Sequence, residues 1–144
     1  MSATLDANVL LYASDEASPL SGSARAFVQA ITAGPDLVYL FWPAIMAYLR
    51  ISTHPRLFEQ PLTLPEALAN IEELTALPHV RTPGEDDRFW SVFRPVAEEV
   101  QSRGKLVPDA HLVALMRQHG VGTIWTRDRD FRKFSRIVAR DPFE

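Results

Sequence analysis

The residues with the clearest capacity for chemistry are four aspartates at the ends of predicted strands or at the start of a helix. Asp6 follows a short strand near the N-terminus, Asp128 and Asp130 follow another at residues 123–125, and Asp109 opens a helix. In open α/β sheets, reactive groups lie at the carboxyl ends of the strands, so these places can share one edge of a parallel sheet. Clustered carboxylates repel one another unless a cation binds among them, and hard divalent ions such as Mg²⁺ and Mn²⁺ prefer oxygen ligands. The pattern therefore predicts a divalent metal site.

Each aspartate also has a local structural explanation, which the sequence leaves open. Asp6 with Asn8 is suited to an Asx turn or to capping a short helix at residues 9–13. Asp109 is placed to complement a helix dipole. Residues 126–130 are suited to capping the turn that follows, with the neighbouring arginines neutralising the aspartates. The metal interpretation rests on the occurrence of all these positions together.

Short strands alternate with helices along the chain. Short β-branched or aromatic segments bounded by turn residues predict strands at residues 4–5, 37–41, 79–81, 123–125 and 137–139. The spacing of apolar residues, with proline and glycine near the ends, predicts helices at residues 21–33, 43–53, 65–76, 89–100 and 108–119. A kink or a reset of the fourth helix is expected at Pro95. Strands that alternate with helices form a mostly parallel sheet covered on both faces, so the predicted fold class is α/β.

The composition is that of a single globular domain at residues 1–144. The chain is 47% hydrophobic and has no cysteine, which excludes a disulfide scaffold and a cysteine-ligated zinc site. Its 15 Lys and Arg against 18 Asp and Glu give a net charge of −3, which argues against nucleic-acid binding by bulk electrostatics. Residues 127–144, however, carry six basic and four acidic residues. No apolar segment matches a membrane helix and the N-terminus lacks a secretory signal, so we expect no membrane association and a cytoplasmic location.

Three motifs occur in order along the chain: LDANVLLYA at residues 5–13, PDAHLVAL at residues 108–115 and TRDRDF at residues 126–131. They resemble the motifs of PIN-domain ribonucleases, and in particular those of the VapC toxins of bacterial VapBC toxin–antitoxin pairs. The segment 42–58 also resembles a VapC subgroup, so the resemblance covers essentially the whole chain. It implies a single PIN domain with a PIN-like three-layer α/β/α sandwich around a central, mostly parallel sheet.

The resemblance also implies roles for individual residues. Asp6 and Asp109 match ligands of a Mg²⁺ ion, for which Mn²⁺ is a substitute. Asp128 matches the last acidic position, which binds the metal directly or through water. Polar groups near a metal commonly orient its ligands by hydrogen bonds. The accessory positions of this kind are Asn8, Thr126 and Asp130.

One position departs from the family pattern. Family members commonly carry a glutamate on the helix after the second strand, and Ala47 stands there in this chain. The resemblance implies a Mg²⁺-dependent endoribonuclease, the toxin component of a toxin–antitoxin pair, that hydrolyses RNA phosphodiester bonds at the carboxylate-bound metal. Because Ala47 removes a ligand, the alternative is a catalytically weak PIN domain that acts mainly by binding RNA or an antitoxin.

The implied partners are an RNA substrate, a cognate VapB-like antitoxin and a second copy of the chain in a homodimer. Trp42, Tyr48 and Trp90 exceed the aromatic content that a small core requires, and aromatic residues are enriched in interfaces. Some basic residues are candidates for contacts with RNA phosphates, with a solvated, ion-paired surface as the alternative. These candidates are Arg50, Arg56, Arg127 and Arg129.

A phosphotransferase of the haloacid dehalogenase type also begins with an aspartate after its first strand. That chemistry requires an acid two residues later, and Asn8 cannot donate and recover a proton as a carboxyl group does. The only two lysines, Lys105 and Lys133, are not positioned along the sequence to stabilise a phosphoryl group. The sequence therefore disfavours this class of enzyme.

Overall fold

Five short parallel strands form the central sheet of the computed structural model, which describes residues 2–144. The strands are β1 (Ala3–Leu5), β2 (Val38–Tyr39), β3 (Val80–Arg81), β4 (Thr123–Trp125) and β5 (Val138–Arg140). Their order in the sheet is β3-β2-β1-β4-β5, and every neighbouring pair is parallel. The predicted α/β class with a mostly parallel sheet is confirmed.

Helices connect consecutive strands, as parallel pairing requires. They are α1 (Ala7–Ser14), α2 (Ser21–Thr32), α3 (Trp42–Ser52), α4 (Leu64–Thr75), α5 (Phe89–Glu99) and α6 (Leu106–Gln118), and a 3-10 helix (Arg129–Lys133) precedes β5. None of the helices within residues 2–144 has the length and apolarity needed to cross a membrane.

Two buried apolar clusters lie on opposite faces of the sheet. Leu5 and Val38 pack with buried side chains of α1, α2 and α4, whereas Ile124 packs with α5, α6 and Phe131 of the 3-10 helix. Successive strand residues point to opposite faces, which is why Leu5 and Ile124, one step apart in register, belong to different clusters. The result is the predicted three-layer α/β/α sandwich.

Helix α6 begins earlier than predicted at its proline, whereas α5 agrees with the predicted helix to within one residue. Helix α6 begins at Leu106 rather than at Pro108, because the N–H groups of the first turn have no partner within a helix and proline is tolerated there. Asp109 nevertheless remains in the first turn of α6. Helix α5 continues through Pro95 to Glu99, so the helix is not reset at this proline.

The predicted aromatic surface is only partly present. Trp42 is 41% exposed and Trp90 is 68% exposed, but Tyr48 is 2% exposed. The Tyr48 hydroxyl lies 2.7 Å from Ser14 Oγ and accepts a hydrogen bond from Asn70 Nδ2 at 2.9 Å. The prediction that Tyr48 belongs to an interface is therefore wrong, since side chains from α1 and α4 satisfy its polar group inside the core.

Candidate metal centre

The carboxyl ends of β1 and β4 meet at one edge of the sheet and bring distant residues together. Leu5 and Trp125 are aligned in the parallel pair, and the backbone N–H of Asp6 donates to the Trp125 carbonyl oxygen at 3.0 Å. Asp6 and Thr126, which are 120 residues apart, are therefore the first residues beyond these two strands. This is the juxtaposition that the strand-end pattern predicted.

The buried hydroxyl of Thr126 connects three groups at this edge. It donates to Asp6 Oδ2 at 2.8 Å, and it accepts from Asn8 Nδ2 at 3.3 Å and from the backbone N–H of Asp128 at 2.9 Å. A hydroxyl has one donor and two acceptor sites, so its hydrogen-bonding capacity is filled. We call Asp6, Asn8 and Thr126 the Thr126 corner.

Asp6 combines a capping role with its position in this corner. Its Oδ1 accepts from the Ala7 N–H at 2.7 Å and caps α1, and its Oδ2 also accepts from Asn8 Nδ2 at 3.3 Å. Burial raises the pKa of Asp6, the hydrogen bonds from Thr126 and Ala7 lower it, and the charge of Asp128 raises it again. The capping interpretation is correct, and it leaves room for a second role, because three donors occupy three of the roughly four lone-pair sites of a carboxylate.

Asp109, Asp128 and Asp130 form a tight group, which we call the aspartate group. One oxygen of each lies within 4.8 Å of the other two, and all three side chains are half-buried. Asp109 comes from α6, whereas Asp128 caps the 3-10 helix by accepting from the Asp130 N–H at 2.9 Å. The structure thus brings two of the three predicted ligands together with the predicted accessory residue Asp130, and Asp6 stands beside this group.

Asp109 is the least satisfied member of the aspartate group. Burial, followed by repulsion from Asp128, Asp6 and Asp130, raises its pKa to about 7, and only Lys105 opposes these effects. Within residues 2–144 no group donates a hydrogen bond to its carboxylate. An ionised Asp109 is therefore costly in the protein alone, and a cation at this edge would remove much of that cost.

The donor set suits a hard divalent cation. Carboxylate oxygens are preferred ligands of Mg²⁺ and Mn²⁺, which keep several waters and need only one or two protein carboxylates directly. The aspartate group supplies such oxygens from two separate elements, and Asp6 adds a fourth carboxylate at the same edge. The residues present therefore fit the ion that the sequence predicted.

Both lysines of the chain contact Asp130, which the sequence did not reveal. Lys133 Nζ lies 3.0 Å from Asp130 Oδ1, and Lys105 Nζ lies 3.1 Å from Asp130 Oδ2. The ammonium groups of Lys133 and Lys105 lower the pKa of Asp130, and the carboxylate of Asp130 raises the pKa of Lys105. The expectation that the neighbouring arginines neutralise these aspartates is wrong, because the ion pairs of Asp130 are made by the two lysines. The three-residue spacing of Asp130 and Lys133 could have indicated the contact of Lys133, whereas no local spacing indicates that of Lys105.

Two arginines beside the aspartate group differ in whether their side chains have partners within the protein. The Nε of Arg127 lies 3.3 Å from Asp141 Oδ2, and its guanidinium lies over the rings of Tyr12 and Phe143, at 5.8 and 5.6 Å from their centroids. Arg129 is exposed, and its side chain has no hydrogen-bond or ion-pair partner in the described part of the chain. Arg127 therefore has a structural role in holding the C-terminal segment, and Arg129 is free to meet a ligand.

Three other predicted positions lie on α3 or just after it. Arg50 is in the last turn of α3 and Arg56 in the turn that follows, and both are exposed. Neither side chain is bonded to the aspartates at the sheet edge. Ala47 is half-buried and packs against the cluster beneath α5 and α6, so α3 contributes no carboxylate. Contacts of Arg50 and Arg56 with RNA stay predictions.

Comparisons with known proteins agree with this architecture. The PIN domain family matches residues 3–137 of the chain. Ribonuclease VapC48 of Mycobacterium tuberculosis is 55% identical over 143 residues, which cover 99% of each chain. The structure of VapBC-1 from nontypeable Haemophilus influenzae covers 100% of both chains with a TM-score of 0.69 and 11% identity. A toxin–antitoxin complex from Klebsiella pneumoniae covers 99% of this chain and 98% of that chain, with a TM-score of 0.63 and 17% identity.

The two structural likenesses show the fold, and the other two comparisons show the family. A match to the PIN domain over residues 3–137 leaves only short segments outside it. An identity of 55% to Ribonuclease VapC48 over nearly the full length of both chains identifies the group within that family. The chain therefore belongs to the PIN-domain family, in its VapC group.

Proposed function

We propose that this chain is a Mg²⁺-dependent endoribonuclease and the toxin of a toxin–antitoxin pair, with Mn²⁺ as a substitute ion. The observation that carries the proposal is the aspartate group, in which burial, followed by repulsion from the neighbouring carboxylates, raises the pKa of Asp109 to about 7. Support comes from the 55% identity to a protein named a ribonuclease. We propose that Asp6, Asp109 and Asp128 hold the ion, and that Asp130 is accessory.

The ion, when bound, would polarise the scissile phosphate and lower the pKa of a water for in-line attack. The side chains of this site have distinct tasks. Asp109 offers two oxygens free of hydrogen bonds from the protein, whereas Asp6 is fixed in orientation by Thr126 and Asn8. Asp128 uses Oδ1 to accept from the Asp130 N–H, which leaves Oδ2 for the ion or for the attacking water.

A cleft beside Asp128 is suited to the phosphates of the RNA. Its lining includes Arg129, Arg132 and Arg140, and the first two are exposed and have no acidic partner among residues 2–144. Guanidinium groups bind phosphate oxygens through paired hydrogen bonds. We propose that Arg129 contacts RNA directly, that Arg127 holds the cleft wall, and that Arg50 and Arg56 are outer contacts.

The partners of the chain are part of the same proposal. Solved proteins with this fold include a toxin–antitoxin complex, which supports a VapB-like antitoxin as the inhibitor of this chain. The exposed indoles of Trp42 and Trp90 are suitable anchors for protein contacts, including those of a homodimer. The proposed site of action is the cytoplasm.

The alternative of a catalytically weak domain, suggested by Ala47, is not favoured. The aspartate group assembles from α6 and the loop after β4 without any contribution from α3. The relative with 55% identity is also named a ribonuclease.

The proposed activity is tested by cleavage of single-stranded RNA by the purified chain. We expect cleavage with Mg²⁺, none in EDTA, and loss of cleavage in Asp6→Asn and in Asp109→Asn. Asp87→Asn is the matched control, because Asp87 is exposed and lies outside the site. Robust cleavage by both site variants, or by the wild type in EDTA, would overturn the metal-site assignment.

A further inference from the structure

The two lysine contacts to Asp130 account for every lysine in the chain. Lys105 precedes α6 and Lys133 ends the 3-10 helix, so the two ammonium groups reach one carboxylate from separate elements. The lysine side chains are 83% and 55% exposed, whereas that of Asp130 is 18% exposed. Of the four aspartates at the edge, Asp130 is the one with which the two lysines form ion pairs.

These contacts leave no oxygen of Asp130 free of an ammonium group. Lys133 is on Oδ1 and Lys105 is on Oδ2. A cation that used Asp130 as a ligand would have to approach two positive charges at close range, which costs Coulomb energy. Asp6, Asp109 and Asp128 have no lysine contact of this kind within residues 2–144. Asp130 is therefore the one carboxylate of the edge that is already neutralised by the protein.

The charges of the edge balance with one divalent ion. Four ionised aspartates carry four negative charges and the two ammonium groups carry two positive charges, which leaves two negative charges. A second divalent ion would find an excess of positive charge. It would also lack a ligand from α3, since Ala47 stands at the predicted glutamate position and α3 has no Asp or Glu.

We infer that Lys105 and Lys133 limit this centre to a single divalent cation by holding Asp130 out of the ligand set and by taking the place of a second ion. The inference rests on the proposed metal-dependent function. Each ammonium group has three N–H donors, and its ion pair with Asp130 leaves donors available to a phosphate oxygen of the RNA. The lysines thus supply positive charge on the Asp130 side of the centre.

The test counts Mn²⁺ ions bound to the full chain, by electron paramagnetic resonance of free Mn²⁺ and by calorimetry. We expect one ion per wild-type chain at saturation and two per chain in the double variant Lys105→Met/Lys133→Met. Adding Asp130→Asn to that double variant removes the freed ligand and returns the number to one. Arg94→Met is the matched control, because it removes an exposed cation from Glu98 on α5, away from the centre.

Each outcome bears on a definite claim. Two ions per wild-type chain, or one ion per double-variant chain, would overturn the inference and leave the proposed nuclease function standing. No bound ion in any of these proteins would overturn the metal-dependent function itself. Circular dichroism of each variant establishes that the counts refer to folded protein. The single variants Lys105→Met and Lys133→Met each retain one ammonium group, and their Mn²⁺ binding is compared with that of the wild type. An Mn²⁺ affinity in both single variants no higher than in the wild type would also count against the inference.

Discussion

The Thr126 corner and the aspartate group are neighbours at one sheet edge, but they are held in different ways. In the corner, neutral donors at 2.7–3.3 Å satisfy the carboxylate of Asp6. In the aspartate group, Asp109 meets mainly other carboxylates, and only Asp130 has cations of the protein beside it. The carboxylate of the corner is therefore largely satisfied by hydrogen bonds within the protein, whereas Asp109 in the aspartate group has no such donors within residues 2–144 and is raised in pKa by burial and by its neighbours. Substitutions in the two regions should differ in their effects on stability and on cleavage.

The largest expected effect is that of Asp109→Asn on RNA cleavage. Loss of an ion ligand removes several kcal/mol of transition-state stabilisation, and we expect cleavage to fall about 10²–10³-fold. The metal-free variant should nevertheless unfold at higher urea concentration than the wild type at pH 8, because a repelled charge has been removed. Single-turnover cleavage and urea unfolding measure the two effects. A variant that is both inactive and less stable would show that Asp109 has a structural role like that of Asp6.

The second effect is that of Thr126→Val, which keeps the shape of the side chain and removes its hydroxyl. Asp6 loses a donor, and Asn8 and the Asp128 N–H lose an acceptor. We expect a loss of about 1–3 kcal/mol in the free energy of unfolding and about 10–100-fold in cleavage.

Thr53→Val is the matched control for the corner. The Thr53 hydroxyl donates to the Leu49 carbonyl at 2.7 Å at the end of α3, away from the aspartates. This variant should lose little cleavage. Equal losses of cleavage in the two valine variants would show that the corner has no special influence on the site.

The pH dependence of stability tests the burial and repulsion of Asp109 in the aspartate group. The folded-state pKa of Asp109, about 7, lies above its ordinary value of 3.8, so its contribution to stability is present below about pH 4 and is lost as the pH rises through 7. The raised pKa of Asp6 acts in the same direction. We expect the metal-free chain to lose about 1–2 kcal/mol between pH 5 and 8, after allowance for the exposure of Asp109.

Urea unfolding at pH 5 and pH 8 measures this loss, with Asp109→Asn as the reference. Glu99, whose pKa is lowered to about 2 by hydrogen bonds from Ser135 and Arg117, acts in the opposite direction but only at lower pH. It therefore does not affect the comparison. An identical loss in the wild type and the Asp109→Asn variant would assign the effect to other groups.

The smallest expected effect is that of Ala47→Glu. Since the aspartate group forms without α3, we expect cleavage to change less than about tenfold, or about 1.4 kcal/mol in activation free energy. Multiple-turnover cleavage measures it. An increase of several hundredfold would instead support the weakly active domain that Ala47 suggested.

The sequence predicted the parts of the site that depend on strand direction. Parallel strands end at one edge, so Asp6 and Asp128 could be placed together from the order of the elements alone. The start of α6 was less accurate, because Lys105 provides no side-chain cap to mark it. The contact of Lys105 with Asp130 depends on how α6 packs against the 3-10 helix, which local spacing does not encode. The pairing of Arg127 with Asp141 likewise depends on the path of the C-terminal segment.

The central claim, that the edge binds a divalent cation, is tested most directly by thermal unfolding at pH 8 in EDTA and in Mg²⁺. At a Mg²⁺ concentration roughly 100 times the Kd, binding contributes about 2.7 kcal/mol, and we expect the wild-type Tm to rise by about 5–10 °C. Asp109→Asn should have the higher Tm of the two proteins in EDTA and gain much less from Mg²⁺. A wild-type Tm that is the same in EDTA and in Mg²⁺ would contradict the account.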